Sequence, residues 1–227
     1  MRCLVTAGPT WEPVDKVRRL TNFSTGRLAT ELALFLQSHG HEVELLRGEA
    51  SVFPAPSELR SIRAFSTTES LADLLRQHAS MPSPVDAIFH ASAVSDFKPG
   101  KVFVRDEAGR LQESTAGKHT TREGTLMMEL EPTQKILPLL RSWFPRARIV
   151  GWKYEIDGGR EEALSKARRQ LIECRSDACV VNGPAYGPGF GILRPSGALA
   201  DVQEAQGLFS SLRGLLEAHR SGQGLVE

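Results

Sequence analysis

The chain has 227 residues, of which 41% are apolar, so it can bury one substantial core, and we expect a single domain over residues 1–227. Lysine and arginine number 28 against 27 for aspartate and glutamate, which argues against non-specific binding of nucleic acid or of an anionic membrane surface. The sequence has no secretion signal, no run of about 18 apolar residues and no paired cysteine motif, so we expect a cytoplasmic protein whose three cysteines are ordinary thiols.

The first elements predict a parallel crossover unit. Residues 2–6 are apolar and indicate a buried strand that ends in a turn at residues 7–10. After a long polar loop, apolar residues at spacings of three and four predict a helix over residues 25–39, with Ser24 as its N-cap. Gly40 ends this helix and another strand follows, which is the strand, loop, helix, strand order of parallel sheets.

The same alternation continues towards the C-terminus. Strands are predicted at 59–65, 86–91, 148–152 and 178–181, and helices at 68–78, 133–144, 161–173 and 203–219. This order indicates an α/β fold with an open, doubly wound, mostly parallel, Rossmann-like sheet. Two strand-like stretches joined by turn sequences interrupt it, so we interpret residues 98–131 as a β-rich flap, and we expect a small hairpin near residues 190–198.

The loops that follow the predicted parallel strands are the candidate ligand sites, because ligands collect at the carboxyl ends of such strands. The first loop contains Gly8 and Thr10, and its backbone N–H groups suit a phosphate, although a tight structural turn explains the same residues equally well. Further along, residues 17–27 place arginines, an asparagine, hydroxyls and a glycine at the start of a helix, which suits an anion. Capping by Ser24 with solvated arginines is the alternative.

The absence of several motifs narrows the function. Residues 17–27 match neither the dinucleotide fingerprint GxGxxG nor the phosphate loop GxxxxGK[ST], which disfavours a nicotinamide dehydrogenase, and no GxSxG elbow indicates a serine hydrolase. After the strand at 86–91, small residues let a ligand approach the backbone, and Asp96 suits a ribose hydroxyl or, alternatively, caps a turn. We expect His90 to be a packed core histidine.

Five motifs occur in the order in which they are found in the phosphopantothenoylcysteine synthetases. They are Thr6-Ala-Gly-Pro-Thr-x-Glu-Pro, Val17-Arg18 with Asn22-Phe-Ser-Thr-Gly26-Arg27, His90-Ala-Ser-Ala-Val-Ser-Asp96-Phe, Gly117-Lys118 and Asp177-Ala-Cys-Val-Val-Asn182. Over nearly its whole length the chain resembles this family, the synthetase part of the bacterial coenzyme A bifunctional flavoproteins. The resemblance implies a ligase in which the carboxylate of 4′-phosphopantothenate attacks a nucleoside triphosphate, pyrophosphate leaves, and the amine of cysteine displaces the nucleotide.

The resemblance also implies roles for individual residues. Asn22 would hold the activated acyl intermediate, Arg18 would act in the cysteine-dependent step, and Lys118 is the flap lysine that would close over the triphosphate. The expected contacts to the nucleotide and its phosphates are Gly8, Thr10, Ser24, Thr25, Gly26, Arg27, Ala91, Ser92, Asp96 and Trp152.

The resemblance further implies co-substrates and partners. CTP, which the bacterial members use, is the first expectation. ATP is the second, because Gln170 and Cys174 stand where CTP-using bacterial members carry lysines, and because Arg18 to Arg27 is similar to animal members described as ATP-using. Mg²⁺ is expected with the triphosphate, held by phosphates and water rather than by named protein ligands. A homodimer is expected in which the flap helps to build the partner's site, and a separate decarboxylase, since the chain starts directly with the synthetase part.

Two other functions share the predicted fold. One is a nucleotide-binding regulatory module that lacks the ligase step, and the other is a flavin- or nicotinamide-binding oxidoreductase. The presence of Arg18, Asn22 and Lys118 argues against the regulatory module, and the absence of the dinucleotide-binding glycines argues against the oxidoreductase.

Overall fold

The computed structural model describes residues 1–118 and 124–223, which contain thirteen strands and five helices. The strands are β1 (Arg2–Ala7), β2 (Trp11–Pro13), β3 (Arg19–Thr21), β4 (Glu42–Gly48), β5 (Ile62–Phe65), β6 (Ala87–His90), β7 (Phe97–Arg105), β8 (Leu111–Glu113), β9 (Thr125–Pro132), β10 (Arg148–Tyr154), β11 (Ala178–Asn182), β12 (Phe190–Leu193) and β13 (Leu199–Val202). The helices are α1 (Arg27–Ser38), α2 (Thr68–Ala79), α3 (Leu137–Trp143), α4 (Arg160–Cys174) and α5 (Ala205–Gln223). None of these described helices is long and apolar enough to cross a membrane.

An eight-stranded sheet lies at the centre, in the order β13-β12-β11-β10-β6-β1-β4-β5. The strands from β5 to β11 in this order are parallel, and β12 and β13 add an antiparallel hairpin at one edge. Numbered along the chain, the parallel strands run 3-2-1-4-5-6, the doubly wound order whose switch point lies between β1 and β6. The predicted α/β fold with its mostly parallel sheet is confirmed.

Apolar residues cover both faces of this sheet. In β1, Cys3 and Val5 point into a cluster with α1 and α5, while Leu4 points into a second cluster with α2 and α3. Because β1 is covered on both faces, it is a continuous buried apolar run, as central parallel strands usually are. A third cluster packs α4 against β11 through residues such as Leu171 and Val181.

The cysteines behave as predicted. Cys3, Cys174 and Cys179 are buried free thiols, and burial raises the pKa of Cys3 and of Cys179 to about 12. A thiol that stays protonated at pH 7 is neither a nucleophile nor a good metal ligand. None of the three is therefore a candidate for covalent catalysis.

Two local predictions at the start of the chain are wrong. The polar loop after β1 contains the antiparallel hairpin β2–β3. The backbone N–H of Thr68 donates to Glu12 Oε1 at 2.9 Å and so holds strand β2 against the start of α2. Helix α1 begins at Arg27, and its N-cap is Gly26 rather than Ser24, with a φ of 79° and no side-chain capping bond. Glycine takes this left-handed conformation without strain, whereas serine does not.

The β-rich flap is present as a separate antiparallel sheet in the order β8-β7-β9, which spans residues 97–132. Residues 119–123 of the predicted flap lie outside the described residues. The predicted C-terminal hairpin is β12–β13, and it extends the central sheet rather than standing alone.

Candidate active site

Main-chain hydrogen bonds join the loops that follow β1 and β6. The Ala93 N–H donates to Gly8 O at 3.1 Å, and the Thr10 N–H donates to Ala93 O at 3.2 Å. These two loops flank the switch point of the sheet. The first and third sequence motifs therefore form one continuous rim at the carboxyl edge, where ligands of this fold bind.

The side chain of Thr10 fastens this rim from inside. Thr10 is fully buried, its Oγ1 accepts from the Ser95 N–H at 2.8 Å, and it donates to Ser95 Oγ at 3.0 Å. It also lies 3.4 Å from Thr68 Oγ1. Thr10 was predicted as a phosphate contact, but its hydroxyl faces the interior, and we do not retain it as one.

His90 is packed in the core, as predicted. It is 6% exposed, and its Nδ1 lies 3.0 Å from Thr6 Oγ1, which also accepts from the Ser92 N–H at 3.2 Å. Burial lowers the pKa of His90 to about 4, so the imidazole is neutral at pH 7. Thr6 thus ties the end of β6 to the loop that carries Ser92.

Asn22 lies directly over the rim. It follows β3, and its Nδ2 donates to Ala93 O at 3.3 Å and to Val94 O at 3.2 Å. The Asn22 side chain is exposed to solvent. The structure therefore brings together the predicted catalytic asparagine and the loop that contains Ser92 and Asp96, although 71 residues separate Asn22 from Ala93.

Arg18 lies elsewhere on the β2–β3 hairpin, and Lys118 lies on the flap. Arg18 is at the turn, four residues and about 13 Å of extended chain from Asn22. The Lys16 N–H in this turn donates to Gly117 O at 3.1 Å, so the flap segment that ends in Lys118 contacts the turn. Within one chain, Arg18 and Lys118 are thus grouped at one end of the hairpin, and Asn22 stands at the other.

Two glycines form a close contact at the start of α1. Gly8 and Gly26 both have a φ of 79°, and a Cβ on Gly26 would lie 3.2 Å from Gly8 N. A Cβ on Gly8 would lie 1.8 Å from Oγ of Ser51, a buried residue whose hydroxyl has no partner among the described residues. Sequence reasoning missed Ser51, since no motif marks the loop after β4.

The residues around Gly26 leave the start of α1 open to an anion. Ser24 is half-buried and Thr25 is exposed, and the Thr25 Oγ1 accepts from the Arg27 N–H at 3.2 Å. The exposed Arg27 side chain pairs with Glu31 at 2.7 Å. Because its N-cap residue makes no side-chain bond, the N–H groups that follow Arg27 and the positive end of the α1 dipole suit a phosphate.

A cleft of about 400 Å³ opens beside the ends of β6 and β10. The predicted contacts Ser92, Asp96 and Trp152 line it, together with His90. The predicted contact Ala91 packs with Trp152 against the core below. One face of α4 forms the opposite wall of the cleft. Its residues are at positions 166, 169, 170, 173 and 174, which are spaced as expected for one face of a helix.

Four basic side chains line this cleft, and none of them was among the predicted contacts: Lys135, Lys153, Lys166 and Arg169. The Nζ atoms of Lys153 and Lys166 lie 3.1 Å and 2.7 Å from the carboxylate of Glu155. Burial alone would raise the pKa of Glu155, but hydrogen bonds from Lys166 and Lys153 bring it below its ordinary value. Hydrogen bonds to Glu155 and Glu162 raise the pKa of Lys166.

Comparison with known proteins identifies the family. The family model described as the DNA/pantothenate metabolism flavoprotein C-terminal domain matches residues 1–207. The chain belongs to this family.

Its relatives agree in sequence and in fold. The coenzyme A biosynthesis bifunctional protein CoaBC of Thermococcus kodakarensis is 32% identical over 182 residues, which are 80% of this chain and 41% of that protein. This chain thus spans less than half the length of the curated relatives that it matches. The DNA/pantothenate metabolism flavoprotein from Streptococcus pneumoniae superposes with a TM-score of 0.82 at 25% identity, covering 96% of this chain and 99% of that one.

A more distant structure shares the fold. A Cab2 mutant in complex with phosphopantothenate-cysteine superposes with a TM-score of 0.69 at 20% identity, covering 97% of this chain and 88% of that one. At this identity the likeness shows the fold alone.

Two residues that line the cleft have buried polar atoms without partners among the described residues. Ser92 and Trp152 belong to the cleft lining, and Ser92 Oγ and Trp152 Nε1 are inaccessible to solvent and have no hydrogen-bond partner among the described residues. An unsatisfied buried polar group costs about 1–3 kcal/mol, so this part of the structure is less stable than its apolar packing alone would make it. Hydropathy reveals no such atoms, because they appear only when the chain is folded.

The last motif has a mainly structural role in this domain. The carboxylate of Asp177 accepts from Arg141 Nη2 at 2.7 Å, from Arg148 Nη1 at 2.9 Å and from the Ile149 N–H at 2.8 Å. It therefore fastens α3 and β10 to the start of β11. At the other end of β11, Asn182 has a buried Oδ1 with no partner among the described residues.

Proposed function

We propose that this chain is a phosphopantothenate–cysteine ligase of coenzyme A biosynthesis. The observation that carries the proposal is the pair of bonds from Asn22 Nδ2 to the backbone of Ala93 and Val94, because they join the asparagine to the nucleotide-facing loop. CoaBC relatives are named for coenzyme A biosynthesis, and the Cab2 mutant of the same fold was solved with phosphopantothenate-cysteine, the product of the proposed reaction.

The chemistry requires charge stabilisation more than a protein nucleophile. A carboxylate does not react with an amine until one of its oxygens becomes part of a leaving group, and the nucleoside triphosphate supplies that group. Gly8, Gly26 and the start of α1 offer backbone N–H groups to a phosphate, while Asn22 orients the activated acyl group above the rim. The buried cysteines support a reaction without a covalent enzyme intermediate.

Mg²⁺ belongs to this proposal as the companion of the triphosphate, on which it neutralises charge when bound. The described residues contain no group of three or more histidine, cysteine or acidic side chains that could hold a metal ion. We propose that phosphate oxygens and water supply most of its ligands, which is how Mg²⁺ often binds with nucleotides.

The nucleotide is proposed to be CTP, with ATP as the second candidate. Its nucleoside would enter the cleft beside Trp152, where Gln170 and Cys174 stand on the facing stripe of α4. An assay of pyrophosphate release tests the function and the choice of nucleotide together. The purified protein is given CTP or ATP, and each substrate is omitted in turn. Release that does not depend on 4′-phosphopantothenate would contradict the ligase, and binding without turnover would favour the regulatory module.

A homodimer would complete the site. The flap exposes Phe97, Leu111, Met127 and Leu130, which a second copy would cover. Arg18 lies at the hairpin turn, at the other end of the hairpin from Asn22, and the flap segment that ends in Lys118 contacts this turn. We propose that the turn and flap of one protomer reach the Asn22 rim of its partner.

Mixing two inactive variants tests the composite site. When Asn22→Ala and Arg18→Ala proteins exchange subunits, half of the dimers are mixed and each has one intact site, so about a quarter of the wild-type activity should return. No recovery after verified subunit exchange would mean that both residues serve the same protomer's site.

A further inference from the structure

Lys135 stands opposite Asp96 at the mouth of the cleft. Its Nζ contacts Asp96 Oδ1, and both side chains line the cleft together with Ser92 and Trp152. Lys135 comes from the connection between β9 and α3, whereas Asp96 follows β6. The sequence motifs include Asp96 but not this lysine.

The backbone sets the position of Lys135 independently of the ion pair. The Thr133 N–H donates to Asp96 O at 3.0 Å, and Thr133 Oγ1 donates to Ser95 O. These bonds fasten the connection before α3 to the loop after β6, two residues from Lys135. The lysine would therefore remain at the mouth of the cleft even if its ammonium changed partners.

The ion pair itself is easily exchanged. The side chains of Lys135 and Asp96 are 61% and 69% exposed, and ion pairs with this exposure contribute little to stability. Lys153 and Lys166, in contrast, share the carboxylate of Glu155, which is only 14% exposed. Of these three cleft lysines, Lys135 is the one that gives up its counter-ion at the lowest cost.

We infer that Lys135 is a nucleotide-binding residue that exchanges its bond to Asp96 for one to a phosphate oxygen. Asp96 then accepts from a ribose hydroxyl, and the ammonium gains a partner that carries more negative charge than one carboxylate. The inference rests on the proposed function, because it takes the ligand of the cleft to be a nucleotide. The phosphate of 4′-phosphopantothenate offers the same chemistry, so the test separates the two substrates.

The test compares Lys135→Ala and Lys135→Arg with Lys98→Ala. Lys98 is a matched control, since its Nζ lies 3.7 Å from Glu131 and its side chain is 53% exposed. Lys135→Ala should raise the KM for the nucleotide about tenfold, the order expected for one charge-assisted hydrogen bond, and leave the KM for 4′-phosphopantothenate unchanged. Lys135→Arg should remain within about threefold of wild type because it keeps the charge.

Equilibrium dialysis with CTP and with ATP, in the absence of the other substrates, keeps this inference separate from the ligase proposal. A wild type that binds nucleotide without turnover would contradict the ligase, while a tenfold loss of binding in Lys135→Ala would still support the inference. A Lys135→Ala protein that binds nucleotide like Lys98→Ala, or whose KM rises for 4′-phosphopantothenate instead, would overturn it. A wild type that binds neither nucleotide would overturn both.

Discussion

Titration of His90 should make the protein less stable in mild acid. The ring is buried, which holds its pKa at about 4 in the folded chain against an ordinary value of 6.5. The unfolded chain therefore binds the proton more readily. The neutral His90 ring makes its full contribution to the free energy of unfolding above pH 6.5, and this contribution is lost as the pH falls towards 4. The difference between these two pKa values corresponds to about 3 kcal/mol of stability, of which about 2 kcal/mol is lost by pH 5.

Urea unfolding at pH 7.5 and at pH 5 measures this effect. Replacement by glutamine keeps a polar side chain near Thr6 but removes the titration, so His90→Gln should lose about 2 kcal/mol less than wild type between the two pH values. Taking the difference between the two proteins cancels the contributions of His41 and His78, whose pKa values are also lowered by partial or full burial. Equal losses in wild type and His90→Gln would refute the reasoning.

Three further predictions concern the rim and the hairpin. Asn22→Ala should abolish turnover with an unchanged thermal midpoint, because the side chain is exposed and its hydrogen bonds to other described residues run across the rim. Arg18→Ala should still release pyrophosphate but form no cysteine adduct, as followed by mass spectrometry. Gly8→Ala should lower the free energy of unfolding by about 1–3 kcal/mol, measured in urea, and weaken nucleotide binding, because φ is 79° and the new Cβ would meet Ser51 Oγ at 1.8 Å.

Each of these predictions has a control. Near-normal turnover by Asn22→Ala would exclude the asparagine from catalysis. Arg110→Ala, which removes an arginine at a turn of the flap that is paired with Asp106 at 2.9 Å, should retain both steps. Loss of both steps in Arg18→Ala would assign Arg18 a different role. Gly40→Ala has a similar φ of 83° and no atom within 4 Å of the new Cβ, so a loss as large as that of Gly8→Ala would rule out the Ser51 overlap.

The strongest sequence predictions depend on periodic burial. The apolar run of β1 and the spacing of three and four in α1 predict their structures because each element must bury one or both faces against the sheet. The hairpin β2–β3 lacks such a pattern, since its strands have three residues each and β3 is exposed. It forms through tertiary bonds such as the one from Thr68 to Glu12, which no local pattern indicates.

The sequence by itself determined the α/β fold, the alternation of strands and helices in the central sheet, and the loops that meet at its carboxyl edge, because hydrophobic periodicity and turn residues act locally. Only the tertiary structure decided that Thr10 faces inward, that Gly26 rather than Ser24 caps α1, and that Lys135 meets Asp96. These outcomes depend on residues that are distant in the chain, or on a backbone angle that packing imposes. Side-chain contacts between distant loops leave no periodic pattern in the sequence. The basic side chains that line the cleft could therefore be identified only from the folded structure.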